Sequence, residues 1–291
     1  MTPGQILQHL DQATLWPAAP DSALAPDVAG AYQTALQVRQ LRIARGEQPR
    51  GYKVGFTNRT IWPRYNVAAP VWGTVWSTTL TFCEGDSTLD LTGRCQARIE
   101  PEAVFGIRAT PPRNASLEAL FDCIDWVAPG FEIVQSHAPA WKFNAAAAVT
   151  DGALHSHLLV GRRVAASAIA ASALAFNQAL ANCHLALHKD GVAHADPAAD
   201  GAVPAAANVG GAVTSTLIER GQGLNVLDGP LLALLHFLNE LRQCPGAPDL
   251  LAGDVVTTGT WTDAWPVAVG ETWRAEFDAP LSALSLKFLS T

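Results

Sequence analysis

The sequence of 291 residues has little positive charge and no basic run. It contains 19 Lys and Arg against 26 Asp and Glu, which gives a formal net charge of -7. An acidic chain without a basic stripe argues against nucleic acid as a partner. The five cysteines are scattered and never spaced as CxxC. This pattern excludes a thiolate metal site and predicts reduced thiols in a cytoplasmic protein.

The sequence also lacks a long hydrophobic run. Residues 1–5 have neither a basic nor an apolar character, so no secretory signal peptide is predicted. The longest mildly apolar stretch, residues 164–181, is mainly Ala and Ser and is too polar to cross a bilayer. A hydrophobic content of 49% with 15% charged residues is typical of a compact protein with a full core. We therefore expect a soluble protein without a membrane partner.

The order of the predicted elements indicates an α+β fold. Apolar residues at helical spacing predict helices at 3–15, 26–45, 114–126, 166–181 and 230–242. Runs rich in β-branched and aromatic residues predict strands at 51–56, 71–82, 97–105, 130–134, 154–160, 251–259, 271–277 and 282–288. We predict one structural unit with an N-terminal helical region, 1–50, and a β-rich catalytic domain, 51–291.

Two segments in the second half of the chain carry turn or loop composition. Asp190-Gly191 predicts a hairpin turn. Residues 195–211 are rich in Ala, Gly and Pro and are predicted to be a loop.

The stretch Ala97-Arg98-Ile99-Glu100-Pro101-Glu102-Ala103-Val104-Phe105 carries the first candidate site. Side chains of a strand alternate, so Glu100 and Glu102 are predicted to project from one face. Pro101 lacks an amide hydrogen, which favours a strand edge, a strand start or a bulge. Two close carboxylates repel each other unless a cation or a shared proton lies between them. The alternative is a solvated strand face with two glutamates.

Two further charged residues, Lys53 and Glu132, lie within otherwise apolar strands. Burying an ionised group without a partner is costly, so these residues are expected to meet Glu100 and Glu102 or an ion. Three carboxylates without a thiol form a hard oxygen site that selects Mg²⁺ or Mn²⁺, with Ca²⁺ possible. Lys53 would then bind a substrate carboxylate or exchange protons; the alternative is a structural salt bridge to a glutamate.

Five motifs in register resemble the 2-hydroxypentadienoate hydratase / 4-oxalocrotonate decarboxylase branch of the fumarylacetoacetate hydrolase-like superfamily. They cover nearly the whole chain and read Gly51-Tyr52-Lys53-Val54-Gly55, Ile99-Glu100-Pro101-Glu102, Phe131-Glu132-Ile133-Val134, Trp141-Lys142-Phe143 and Ala252-Gly253-Asp254-Val255-Val256-Thr257-Thr258-Gly259. The resemblance implies a mixed β-roll core, a homo-oligomer, and Mg²⁺ or Mn²⁺ at Glu100, Glu102 and Glu132. It also implies a metal-dependent hydratase or decarboxylase of aromatic meta-cleavage catabolism, whose metal chelates the carboxylate and C2 oxygen of a 2-oxo acid or 2-hydroxydienoate.

The resemblance also assigns Lys53 a catalytic and substrate-binding role, and we add Trp76, Lys142 and Thr258 as substrate-binding candidates. The chain departs from the family where an acidic residue, a Pro-Asp-Thr run and an Asp-Asn-Ala-Ser-Ser run are usual. Here these positions read Ser77-Thr78-Thr79, Ala146-Ala147-Ala148 and Asp151-Gly152-Ala153-Leu154-His155, and residues 195–217 resemble an insertion. By this resemblance the metal ligands are kept, and the changed positions are polar groups that would position water or the distal end of the substrate.

The histidines leave two alternatives open. His155 and His157 would share a strand face, and we name His155 as a catalytic candidate, a general base in place of the lost polar groups. The alternative is a strand-end histidine that bonds a backbone carbonyl. His137 follows Glu132 closely and could also reach the site. With such a base the protein would be a hydrolase cleaving a C–C bond of an acylpyruvate. The altered pocket motivates the other alternative, a non-catalytic homologue.

Overall fold

The computed structural model describes residues 1–17, 27–192 and 213–290. The helices of these ranges are α1 (Pro3–Gln12), α2 (Val28–Ala44), α3 (Trp62–Tyr65), α4 (Leu117–Phe121), α5 (Ala145–Thr150), α6 (Ala166–Ile169), α7 (Ala173–Ala181) and α8 (Pro230–Gln243). The strands are β1 (Pro49–Gly55), β2 (Val71–Trp76), β3 (Leu80–Phe82), β4 (Asp86–Asp90), β5 (Arg98–Ile107), β6 (Ile124–Val134), β7 (His155–Val160), β8 (Val164–Ala165), β9 (His184–Val192), β10 (Val213–Gln222), β11 (Val255–Thr257), β12 (Trp265–Pro266), β13 (Thr272–Phe277) and β14 (Leu284–Leu289).

The larger sheet has the strand order β2-β1-β11-β5-β6-β7-β3 and mixes parallel with antiparallel pairs. Its two outermost strands, β2 and β3, are joined by only three residues, Ser77–Thr79. Because so short a link cannot cross a flat sheet, the sheet curls until its ends approach each other. The second sheet has the order β10-β9-β13-β14-β4. The predicted α+β fold with a mixed β-roll is therefore confirmed.

Burial in the hydrophobic core accounts for the apolar patterns from which α8, β5 and β6 were predicted. On α8 the predicted leucine stripe is buried at Leu231, Leu234, Leu238 and Leu241. On β5 and β6, burial on both faces of the strands accounts for their nearly continuous apolar runs. The helices α1 and α2 come before β1 as predicted, and α2 packs against α5. The division at residue 50 stays a prediction.

Several boundaries differ from the sequence predictions. The predicted strand 71–82 is broken by a 3₁₀ turn into β2 and β3, and the predicted helix 166–181 is broken into α6 and α7. The hairpin turn at Asp190-Gly191 was wrong, because β9 continues through both residues and pairs with β10. The loop predicted at 195–211 and the first residue of the helix predicted at 26–45 lie outside the described residues.

Pro101 does not lie at a sheet edge, since β5 pairs with β6 on one side and with β11 and β12 on the other. The ladder on that second side stops at Thr257 and resumes at Trp265. The carbonyl of Pro101 accepts a hydrogen bond from the Trp261 amide in this gap. The missing amide hydrogen is thus tolerated in an interior strand because the ladder is interrupted beside it.

None of the helices in the described ranges is both long and apolar enough to cross a bilayer.

Candidate metal centre and substrate pocket

Three glutamates converge on one face of the β5–β6 pair. Glu100 lies directly opposite Glu132 in the antiparallel ladder, and Glu102 follows on the same face of β5 two residues later. One carboxylate oxygen of each residue lies within 4.8 Å of the other two. Within the described ranges, this is the group of His, Cys, Asp or Glu side chains arranged to hold a metal ion. The strand alternation predicted from the sequence is what brings the three together.

Each buried glutamate is fixed through one oxygen. Glu102 Oε2 accepts hydrogen bonds from the amides of Thr258 (3.1 Å) and Gly259 (2.7 Å), while its Oε1 has no partner although the side chain is fully buried. Glu132 Oε1 lies 3.0 Å from His155 Nδ1, whereas its Oε2 has no hydrogen-bond partner and makes only an ion-pair contact with Lys53 Nζ at 3.2 Å. A buried acceptor without a donor is costly. The residues present therefore fit a cation that would use these oxygens.

The electrostatics of the trio also favour a cation. Burial raises the pKa of Glu102 well above its usual range, with further increases from the charges of Glu132 and Glu100. Burial raises the pKa of Glu100 to about 7 against the opposing effect of Lys53. For Glu132, Lys53 and His155 outweigh burial and lower the pKa. One ammonium cannot balance three carboxylates, so a divalent cation would supply the missing charge.

Lys53 reaches the trio across a gap in the sheet. Its strand, β1, is separated from β5 by β11, but β11 pairs with β5 only at residues 104–106. Lys53 Nζ lies 3.2 Å from Glu132 Oε2 and 3.9 Å from Glu100 Oε2, and the residue is 3% exposed. Burial alone would lower the pKa of Lys53, yet the surrounding carboxylates raise it overall. The salt bridge between Lys53 and a glutamate, which was the alternative interpretation of this residue from the sequence, is therefore present.

The turn after β11 is shaped to hold Glu102. Gly259 has a φ of +96°, and a Cβ at this position would lie 1.8 Å from Thr57 Oγ1, so only glycine fits. Its amide and that of Thr258 both donate to Glu102. The Thr258 hydroxyl donates to the Ala103 carbonyl and is fully buried. Thr258 thus positions a carboxylate through its backbone, and its side chain is turned away from the pocket.

A pocket of about 220 Å³ opens beside Glu100 and Lys53. Its lining combines four aromatic residues, Phe56, Tyr65, Trp141 and Phe143, with polar and charged residues that include Asp263. Tyr65 stacks between Phe56 and Phe143, at centroid distances of 4.6 and 5.7 Å. These rings give an apolar surface to part of a space that has carboxylates and an ammonium at one end.

The same pocket has two arginines in its lining, Arg64 and Arg98. The Arg98 guanidinium lies 4.2 Å from the centre of the Trp141 ring and donates to the Ala264 carbonyl at 3.3 Å. Neither arginine has a carboxylate ion-pair partner in the part of the chain that the structure describes. Sequence reasoning missed both residues. The sequence signal for Arg98 is its place two residues before Glu100 on the same strand face, and this signal gains a meaning only once the pocket is seen.

Two of the predicted substrate-binding side chains do not line this pocket. Trp76 lines a separate cavity, where the Arg42 guanidinium covers its ring at 4.2 Å. Lys142 is exposed, although its neighbours Trp141 and Phe143 form part of the pocket wall. With Thr258 already accounted for by its bond to Ala103, only Lys53 of the four predicted substrate-binding residues lies in the pocket.

The histidines lie behind the site rather than in it. His155 bonds Glu132 through Nδ1 and Thr79 Oγ1 through Nε2 at 2.8 Å, so both ring nitrogens are engaged. His157 shares its strand face and lies 3.0 Å from Thr81 Oγ1. His137 is fully buried and its Nδ1 lies 2.6 Å from Asp151 Oδ1. Neither His137 nor Asp151 lines the pocket that contains Lys53.

Comparison with family models gave no match. The chain is 31% identical over 162 residues to a 4-oxalocrotonate decarboxylase from Pseudomonas sp, covering 54% of this chain and 62% of that protein. It is 30% identical over 138 residues to the 2-hydroxyhexa-2,4-dienoate hydratase of Comamonas testosteroni, covering 47% and 52%. These two alignments thus span between half and two thirds of the relatives' lengths.

Known structures match over more of the chain. The 4-oxalocrotonate decarboxylase from Pseudomonas putida G7, complexed with magnesium and adipate, superposes with a TM-score of 0.78 at 21% identity, covering 99% of both chains. Fumarylpyruvate hydrolase from Pseudomonas aeruginosa, in complex with Mn²⁺ and pyruvate, has a TM-score of 0.54 at 15% identity, covering 83% of this chain and 90% of that one. The chain is thus similar in sequence to a 4-oxalocrotonate decarboxylase and to a hydroxydienoate hydratase, and it has a fumarylacetoacetate hydrolase-like fold, as its motifs predicted.

Proposed function

We propose that this protein is a metal-dependent lyase, a hydratase or decarboxylase, that acts on a small 2-oxo acid or 2-hydroxydienoate. The observation that carries the proposal is the convergence of Glu100, Glu102 and Glu132 beside the buried Lys53, next to a pocket of about 220 Å³. The named relatives, a decarboxylase and a hydratase, support it. The proposal of a lyase concerns the whole chain, whereas the sequence alignments to these two relatives each cover part of it.

Each residue of the site has a role that follows from its position. The three glutamates would hold Mg²⁺ or Mn²⁺, and such an ion supplies Lewis-acid polarisation to the oxygens of a chelating oxo-acid. Lys53 is held by Glu132 and Glu100, and its ammonium is placed to bind the substrate carboxylate or to transfer a proton. His155 orients Glu132 instead of contacting substrate, so it is a positioning residue.

The two pocket arginines favour a substrate with a second carboxylate. Arg98 is held against Trp141, and its charge has no ion-pair partner among the residues that the structure describes. A guanidinium binds a carboxylate through two parallel hydrogen bonds and strongly prefers it to a neutral group. Arg64 lies on the same pocket wall. We therefore propose a 2-oxo dicarboxylic acid or its dienol, with its distal carboxylate near Arg98.

The hydrolase alternative is less well supported. Cleavage of a C–C bond in an acylpyruvate needs a base that activates water in the pocket. His137 and Asp151 form a histidine–acid pair but lie outside the pocket lining, and both nitrogens of His155 already have partners. The intact carboxylate trio likewise favours an enzyme over a non-catalytic homologue.

We also propose that the protein is a cytoplasmic homo-oligomer. All five cysteines are unpaired, which suits a reducing compartment. Light scattering coupled to gel filtration measures the subunit number, and a mass of one chain would contradict the oligomer.

The function is tested by assaying purified protein with Mn²⁺ on three substrate classes. These are ring-cleavage dienoates, unsaturated 2-oxo dicarboxylic acids and acylpyruvates, followed by absorbance and by CO₂ release. Turnover of either of the first two classes supports the lyase. Turnover of acylpyruvates alone identifies the hydrolase, and binding of oxalate without turnover of any class identifies a non-catalytic homologue.

A further inference from the structure

A second cavity, of about 50 Å³, lies between α2 and β2 and shares no lining residue with the substrate pocket. Arg39 and Arg42 border it from α2, Trp72 and Trp76 from β2, and Thr150 from the end of α5. We propose that this cavity is a binding site for a small oxyanion of the carboxylate type.

Three hydrogen-bond donors around the cavity have no partner. They are the Trp72 indole N–H, the Thr150 hydroxyl and the Arg39 Nε–H. Trp72 is 4% exposed and Thr150 is 1% exposed, whereas Arg39 is partly exposed with its Nε atom buried, so bulk water does not reach these three donor atoms. Buried donors are almost always paired in native proteins. Three unpaired donors around one cavity therefore indicate a ligand that accepts hydrogen bonds from all of them.

The charges around the cavity favour an anion over water. Arg42 is paired with Glu47, and both oxygens of Asp151 accept bonds from His137. His155 contacts Glu132 and Thr79. Arg39 has no ion-pair partner among the described residues; Asp254 and Tyr52 influence it only at a distance. A water molecule could accept hydrogen bonds from the donors, but an anion would also be attracted by the unpaired charge of the partly exposed Arg39 guanidinium.

The size of the cavity narrows the class of ligand. One water needs about 10–15 Å³ of such space, so the cavity suits roughly three or four non-hydrogen atoms. Formate and acetate have this size, and a planar carboxylate has enough lone pairs for all three donors. A dicarboxylic substrate of the neighbouring pocket is too large for this cavity. The proposed site is thus distinct from the metal centre and does not depend on the proposed function.

The proposal is tested with the metal-free full-length protein. Formate is titrated in the presence of EDTA, with chloride at equal ionic strength as reference, and its affinity is obtained from the rise in Tm. We expect saturable binding that Trp72→Phe and Thr150→Val each weaken about 5- to 10-fold, the usual effect of one hydrogen bond. Arg39→Gln removes a charged partner and should weaken binding more than about 10-fold.

The control variants make the same types of substitution at residues that do not line this cavity. Trp62 donates its indole N–H to the Phe56 carbonyl, and Arg50 donates to Gln48, so Trp62→Phe and Arg50→Gln should bind formate as the native protein does. Arg98→Gln separates this cavity from the substrate pocket and should also leave formate binding unchanged. Circular dichroism and Mn²⁺ binding confirm that each variant folds.

A crystal grown with formate gives an independent readout. We expect planar density within hydrogen-bond distance of Trp72 Nε1 and Thr150 Oγ1. Water alone in the cavity, or equal formate affinity in the native protein and in Trp72→Phe and Thr150→Val, would overturn the proposal.

Discussion

Glu100 on β5 and Glu132 on β6 occupy directly opposite positions of an antiparallel ladder, and both face Lys53 Nζ, at 3.9 and 3.2 Å. Like charges at opposite ladder positions destabilise a sheet. A fold that places two carboxylates there, adds Glu102 on the same face and buries them with one ammonium leaves a deficit of positive charge. Binding a divalent cation is the function that this deficit supports.

Replacing Lys53 by Met separates its catalytic role from its structural one. We expect kcat to fall by roughly 10²- to 10³-fold, the typical loss of one preorganised charged group. Mn²⁺ should bind at least as tightly, because a positive charge next to the ion has been removed. Steady-state kinetics and calorimetry measure the two effects. The exposed Lys287→Met is the matched control. An unchanged kcat with lowered stability would make Lys53 a structural residue only.

Replacing His155 by Gln tests its role in orienting Glu132. Loss of a partner of a ligating carboxylate typically costs 10- to 100-fold in metal affinity, and we expect a change of roughly that size in Mn²⁺ binding. His157 lies on the same strand face but bonds Thr81, so His157→Gln is the control. If both variants bound Mn²⁺ as the native protein does, His155 would have no role in the metal site.

Because His157 is buried, we predict that the folded protein loses stability at mildly acidic pH. Burial lowers its pKa to about 3, from an ordinary value of 6.5. The unfolded chain therefore takes up a proton that the folded chain excludes, so the stability is complete above pH 6.5 and declines as the pH falls below it. Between pH 6.5 and 5 the loss should be about 2 kcal/mol of unfolding free energy.

The contribution of His157 is isolated by comparing urea unfolding of the native protein with that of His157→Gln at these two pH values. The variant should lose less stability on acidification. The exposed His184→Gln is the control and should behave like the native protein. An identical pH dependence in His157→Gln and the native protein would contradict the assignment.

Arg98→Gln tests the proposed recognition of a distal carboxylate. Loss of a charged hydrogen bond costs about 1.5–3 kcal/mol, so KM for a dicarboxylic substrate should rise by roughly 10- to 100-fold. KM for the corresponding monocarboxylic substrate should change little. Arg108→Gln, which removes a donor to the Asp122 carbonyl, is the control. Equal effects on both substrates would remove the case for a second carboxylate.

The sequence predicted that Glu100, Glu102 and Glu132 would come together, because the signal for this cluster is local. Alternation alone places Glu100 and Glu102 on one face, and Glu132 is the acidic residue within the apolar run of β6. Alternation also placed Arg98 beside them, yet a single arginine two residues before a carboxylate carries no meaning until the pocket is seen. Resemblance to a family supplied the fold, which the periodicity of single segments could not.

The predictions that failed depended on which elements meet in space. Trp76 lies in an aromatic cluster by sequence, but it faces α2 and not the metal site. Asp190-Gly191 has the composition of a tight turn, whereas cross-strand pairing with β10 and β13 keeps it extended. The partners of His155 come from β6 and from the turn after β2, and no local pattern connects these segments.

The central claim is tested most directly by calorimetric titration of Mn²⁺ into the native protein and Glu102→Gln, with the exposed Glu84→Gln as control. We predict one ion per chain for the native protein and the control. Glu102→Gln should bind Mn²⁺ more than about 100-fold more weakly than the native protein. This loss exceeds the one expected for a residue that only hydrogen-bonds a metal ligand. Equal Mn²⁺ affinity in Glu102→Gln and Glu84→Gln would show that the three glutamates do not form a metal site.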